Sequence, residues 1–206
     1  MTALSTNFWN KFTANSTPVI FALALLGFSA TRLMASPEVI VEHYPNNKVH
    51  YKIEVDSHQR QHGWSREYTE AGILKAERHY AHGVRDGISR LYYTTGELMT
   101  EWMYHNGKRH GPSLGYFKSG RLKDRGMYQS DLLEGPVLKY YPDGRIKARM
   151  NFKHDLLEGE SITYYESGQA QHIYRYFKGR AWTRKDYSPS GKLLRKQEFP
   201  QPPFHP

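Results

Sequence analysis

The stretch YYPDGRIKARMNF, Tyr140–Phe152, decides the fold, because near-copies of it return at a 24-residue period: YYTTGELMTEWMY from Tyr92, YFKSGRLKDRGMY from Tyr116 and YYESGQAQHIYRY from Tyr164. Four columns share that period. Gly72, Gly96, Gly120, Gly144 and Gly168 form one, with Gly191 following after 23 residues; Gly63, Gly87, Gly111, Gly135 and Gly159 form another. Tyr68, Tyr92, Tyr116, Tyr140 and Tyr164 make the third, and Tyr80, Tyr104, Tyr128, Phe152 and Tyr176 the fourth. Self-similarity at a fixed period of about 20–50 residues marks a stacked repeat array.

Each glycine of the first column follows two turn-forming residues, as in Thr94-Thr95-Gly96 and Pro142-Asp143-Gly144. That is the composition of a three-residue hairpin loop, a type I turn closed by one residue at positive φ. After the glycine the residues alternate. Ile146, Ala148, Met150 and Phe152 are expected on one face, and Arg145, Lys147, Arg149 and Asn151 on the other, as in a half-buried strand. The equivalent set after Gly96 is Leu98, Thr100, Trp102 and Tyr104. A second reversal is expected over HNGKRHG (105–111) and its relatives, with Gly83, Gly107, Asp131, Asp155 and Gly179 at the tips. One repeat is thus two short strands and two turns. The expected fold is all-β: an elongated, single-layer antiparallel β-meander of about 12 strands, its tyrosine columns acting as structural ladders along the sheet.

Composition agrees with a thin structure. The apolar share is 38% and the aromatic share 14%, with 16 Tyr, which suits side chains lying across a sheet better than a thick aliphatic core. Cysteine is absent, which excludes disulfides and thiolate metal sites. The formal charge is +9, and beyond Lys11 and Arg32 the chain holds 27 basic against 20 acidic side chains. No basic run or nucleic-acid-binding motif occurs, so nucleic acid is not an expected partner.

The chain organises into four parts. Residues 1–36 contain the apolar run VIFALALLGFSA (Val19–Ala30), a hydrophobic helix that reads as a secretory signal or as a membrane anchor. Either places the remainder in an exported or membrane-anchored setting, a bacterial periplasm or envelope. Residues 37–63, with Val49, Tyr51, Ile53 and Val55 alternating, read as a degenerate capping hairpin. Residues 64–199 are the array. The Pro-rich tail 200–206 cannot continue a sheet.

The segments YAHGVRDG (Tyr80, Gly83, Gly87) and YHNGKRHG (Tyr104, Gly107, Gly111) carry the pattern Tyr-x-x-Gly-x-x-x-Gly, and YQSDLLEG and FKHDLLEG keep it with Asp131 and Asp155 at the middle glycine. With the halves YFKSGRLK and YYPDGRIK, these residues resemble the MORN repeat in its bacterial variant form. The resemblance implies a scaffold for protein contacts, sometimes at membranes, with no shared catalytic residues. Bacterial members of the family are often labelled antitoxin-like.

An enzymatic reading finds no support. His62, Asp86, His110, Glu134 and Glu158 form a column that looks like a ligand set. Equivalent positions in successive hairpins lie two strands apart, about 9.5 Å, whereas zinc ligands lie within about 3–4 Å of one another. One column therefore cannot hold a zinc ion or a close carboxylate dyad, and His58, His82 and His154 read as solvated turn residues. No Gly-rich phosphate loop or nucleophile elbow occurs. The expectation is a non-catalytic binding protein without metal, cofactor or small-molecule substrate. Its expected partner is a protein, with a cognate toxin or an anionic membrane surface as alternatives, and its candidate contact strip is Lys123, Arg125, Arg145, Lys147 and Arg149.

Overall fold

The computed structural model describes residues 37–200; the apolar run of residues 19–30 and most of the Pro-rich tail lie outside the described residues. The described chain is one antiparallel sheet. Its strands are β1 (Glu38–His43), β2 (Val49–Val55), β3 (Gln61–Tyr68), β4 (Leu74–Ala81), β5 (Val84–Tyr92), β6 (Leu98–His105), β7 (Lys108–Tyr116) and β8 (Leu122–Gln129). They continue as β9 (Leu132–Tyr140), β10 (Ile146–Lys153), β11 (Leu156–Leu157), β12 (Gly159–Tyr164), β13 (Ala170–Phe177), β14 (Arg180–Tyr187) and β15 (Leu193–Glu198). Neighbours in sequence are neighbours in the sheet throughout; only the two-residue β11, paired with β10, lies off the path. The sheet is wider than the expected 12 strands because pairing runs unbroken through residues 38–55.

Two kinds of turn alternate. At the first glycine column, Gly96 N–H donates to the Tyr93 carbonyl and Tyr93 N–H to the Glu97 carbonyl, at 2.9 and 2.8 Å. Gly96 has φ +100°, so glycine closes this three-residue loop without the clash a Cβ would bring. The other reversal is tighter than the seven residues expected. It is a two-residue turn with both central residues at positive φ, such as Asn106 (49°) and Gly107 (80°), or His154 (51°) and Asp155 (65°). This is the type I′ geometry whose twist matches paired strands. The second glycine column sits inside strands instead: Gly111, φ +111°, lies in β7 where pairing with β6 slips between Trp102↔Ser113 and Tyr104↔Arg109. Such a bulge also tolerates Pro112 and Pro136 in strands that are not edges.

A second bulge corrects the expected alternation. Tyr140 faces Ile146 and Lys139 faces Ala148, so Lys147 is opposite no residue. Ala148 is buried, with Met150 and Phe152 half-buried on its face, but Ile146 is 42% exposed. The same slip at Met99 separates Leu98 from Thr100 and Trp102.

The two faces of the sheet differ. Every buried side chain described lies on one of them: Ile53, Val55, Ser65, Glu67, Ala76, Ser89, Val137, Ala148 and Ser161. Small side chains there lie beside long ones, as in the paired series Ser65↔Arg78↔Ser89↔Trp102↔Ser113. This tight face carries the Tyr104 column, packed by guanidinium groups: Arg85 is 4.7 Å from the Tyr104 ring and Arg109 4.1 Å from Tyr128. The Tyr92 column is on the opposite, open face, so the two aromatic ladders never meet. A further tyrosine set ties successive hairpins, the hydroxyls of Tyr93, Tyr141 and Tyr165 donating to the carbonyls of Tyr116, Tyr164 and Tyr187.

Candidate functional site

On the open face one residue from each strand of the main path from β2 onward forms a continuous row. From β2 to β6 it reads Lys52, Arg66, Glu77, Arg90, Glu101. From β7 it continues Leu114, Arg125, Leu138, Arg149, Ile162, Ile173, Lys185, Lys196. Directly opposed side chains interact in pairs, and the two stretches use this differently. In the first, Arg66 Nε is 3.0 Å from Glu77, Arg90 Nε is 2.6 Å from Glu101, and Arg90 also reaches Glu77 at 3.7 Å. Tyr92 donates its hydroxyl to Glu77 at 2.7 Å. Burial and that carboxylate together push the Tyr92 phenol up to about 12. Burial opposes ionisation of Glu77, yet the donors Tyr92 and Arg66 hold it below the usual carboxylate range.

In the second stretch no acid occupies the row. Arg125 and Arg149 stand exposed between Leu114, Leu138 and Ile162. Around Arg125 a groove of about 480 Å³ is lined by Pro112, Leu114, Met127, Pro136 and Leu138, with Met127 46% exposed and Glu134 the one acid on its wall. Among the described residues neither arginine, nor Lys123, forms an ion pair. The candidate strip is therefore split: Lys123 and Lys147 occupy bulge positions, with Lys147 5.5 Å from the Tyr141 ring. Arg145 is not on a strand face at all. It lies in the turn, its Nε 2.8 Å from Asp143, whose carboxyl that contact holds low.

Charge follows the same division. Residues 37–110 carry ten basic and ten acidic side chains, residues 111–199 seventeen and ten. Sequence reasoning had the total but not this partition, which emerges once the row is traced strand by strand.

The column that resembles a ligand set has another job. Four of its five members, all but His110, cap the type I′ tip of the next hairpin, twenty residues on. Asp86 accepts from Asn106 N–H at 3.0 Å, Glu134 from His154 at 3.1 Å, Glu158 from Lys178 at 2.7 Å, and His62 Nδ1 from His82 at 3.3 Å. At the first rung a third group arrives. Asp56, in the β2–β3 turn, uses Oδ1 to accept from the backbone of His58 and Arg60, and its Oδ2 lies 3.2 Å from His82 Nδ1. One donor atom each from Asp56, His62 and His82 lies within 4.8 Å of the others. His82 is thus a member of a cluster, not a solvated turn residue alone; the sequence signal was the pairing of one column with the next tip, not the column itself.

An open single-layer sheet with a polar, partly apolar face defines a repeat scaffold. The family model described as MORN repeat variant matches residues 85–106, 133–154 and 157–176, so the chain carries repeats of the MORN variant type. Such repeats are a non-enzymatic family of protein- and membrane-interaction modules. No curated protein matches the chain. Among solved structures it is similar to one titled "Crystal structure of GtfA/B complex bound to UDP and GlcNAc", at 16% identity over 56% of this chain and 22% of that chain, with a TM-score of 0.25. A likeness of that size carries no argument about fold or function here. No helix among the described residues is long and apolar enough to cross a membrane.

Proposed function

We propose that this protein is a non-catalytic scaffold that docks an acidic protein surface on the open face of β7–β15. The observation that carries the reading is the row Leu114–Arg125–Leu138–Arg149–Ile162, in which exposed cations alternate with aliphatic side chains, no acid stands in the row, and neither arginine is ion-paired. Arginine beside exposed apolar surface is the composition of interface centres, and unpaired like charges steer an oppositely charged partner. The apolar run Val19–Ala30 supports an envelope setting for the scaffold.

The test is quantitative capture of a stoichiometric partner by the full-length chain from its native envelope, against the double variant Arg125→Glu, Arg149→Glu. The expected partner presents an acidic surface, binds less tightly as salt rises, and is lost by the double variant. Equal capture by both proteins would sink the reading. So would salt-sensitive flotation on vesicles of anionic phospholipid that the double variant abolishes, because the face would then serve a membrane.

A further inference from the structure

We propose that Asp56, His62 and His82 form a site for a zinc-class divalent metal ion that clamps the β2–β3 turn to the β4–β5 tip. The donor set, two imidazoles and a carboxylate, is one that zinc and its borderline neighbours accept. Two ligands of a tetrahedral zinc at about 2.0–2.1 Å are about 3.3 Å apart, and Asp56 Oδ2 and His82 Nδ1 already stand 3.2 Å apart. The third donor lies within 4.8 Å of both, the two imidazole rings having centroids 4.6 Å apart. A small rotation of an exposed ring closes the set.

The surroundings orient these donors. Asp56 Oδ1 is held by two backbone N–H groups of its own turn, which leaves Oδ2 facing the Arg60 guanidinium and His82 Nδ1. His62 Nδ1 accepts from His82 N–H at 3.3 Å, so the unprotonated nitrogen of this ring already faces the His82 tip and becomes the ligand atom when that long bond gives way to the metal. Three protein donors leave a fourth position to water. The site already attracts a cation. Arg60 Nη2 lies 2.8 Å from Asp56 Oδ2 and 3.1 Å from His82 Nδ1, between the two donors a metal would bridge. Its side chain is 48% exposed, so it can withdraw into solvent when the metal enters. At the other rungs the described groups come in pairs, such as Glu134 with His154 at 3.3 Å, and no third donor joins them.

Chelator-treated full-length protein would be titrated with zinc chloride by calorimetry and with cobalt(II) by absorption. Expected are one equivalent of zinc and cobalt bands of tetrahedral intensity. His82→Asn removes one ligand while keeping the turn, since Asn106 holds the same tip at φ 49°; it should weaken binding by at least about tenfold. Arg60→Gln removes the competing cation and no ligand, and should tighten binding. Absence of a stoichiometric site overturns the proposal, as does His82→Asn binding like the wild type, which would place the metal on other histidines. If His82→Asn loses its β-sheet circular dichroism, Arg60→Gln decides alone: tighter binding supports the site, and unchanged or weaker binding overturns it.

Discussion

The half of the sheet spanning residues 37–110 and the half spanning 111–199 are built on the same period, turns and glycine columns, yet they spend their side chains differently. The first half is electrically neutral, pairs its open-face charges with one another, and contains Ile53, Val55, Ser65, Glu67, Ala76 and Ser89, most of the buried residues. The second half is basic, leaves Arg125 and Arg149 between aliphatic neighbours, and exposes Met127, Leu132, Ile146, Leu156, Leu193 and Leu194. The lesson is that backbone geometry and surface chemistry separate cleanly in a repeat protein. Turns and bulges are satisfied within each repeat, so the solvent-facing row is free to serve internal pairing in one region and a partner in another.

Substitutions in the two halves break or sharpen this contrast. The largest expected effect is at Glu67, a buried carboxylate held by Lys75 at 2.6 Å and Arg78 at 3.1 Å. Glu67→Ala leaves Arg78 without its partner and should destabilise the protein by about 2–3 kcal/mol in urea unfolding, somewhat below the cost of breaking a fully buried pair because both cations reach solvent. If Glu67→Ala unfolds no more easily than Arg125→Ala, the two halves are not held differently.

Acid should act on the same residue. Burial opposes ionisation of Glu67, but hydrogen bonds from Lys75 and Arg78 hold its carboxyl below the ordinary range, as Tyr92 and Arg66 do for Glu77. A carboxyl with a lowered folded-state value binds fewer protons folded than unfolded. The stability it supplies is therefore complete above the unfolded value of about 4.3 and is lost as pH falls through the lower folded values. The urea midpoint should drop in that window, and Glu67→Gln should flatten the drop. A midpoint insensitive to acid in the wild type would contradict the assignment.

Replacing a turn glycine should cost the same in both halves. Gly96 and Gly144 have φ of +100° and +94°, and alanine at either should destabilise by about 1 kcal/mol. Unequal costs would show that the shared geometry is not equally strained. The smallest effect belongs to Arg125→Ala and Arg149→Ala, each expected within about 0.5 kcal/mol of wild type by thermal unfolding. A larger loss would assign these arginines to the fold and remove them from the binding face.

Much of this was legible in the primary structure because turns report themselves locally. Thr94-Thr95-Gly96 specifies its loop through φ preferences of adjacent residues, and the 24-residue recurrence then stacks the hairpins. The face of Ile146 was not legible, because one unpaired residue at Lys147 shifts the parity of everything before it and bulges carry no strong composition. Nor was the role of Glu134 or His62, whose partners lie twenty residues on.

By itself the sequence determined the period, the strand reversals and the single-sheet class, since each depends on conformational preferences a few residues wide. Tertiary structure alone decided which charges neutralise one another across β2–β6 and which stand unopposed across β7–β10. It also decided that an aspartate and two histidines from different turns converge. Those outcomes depend on strand register, a long-range property in which a slip of one residue moves a side chain to the other face.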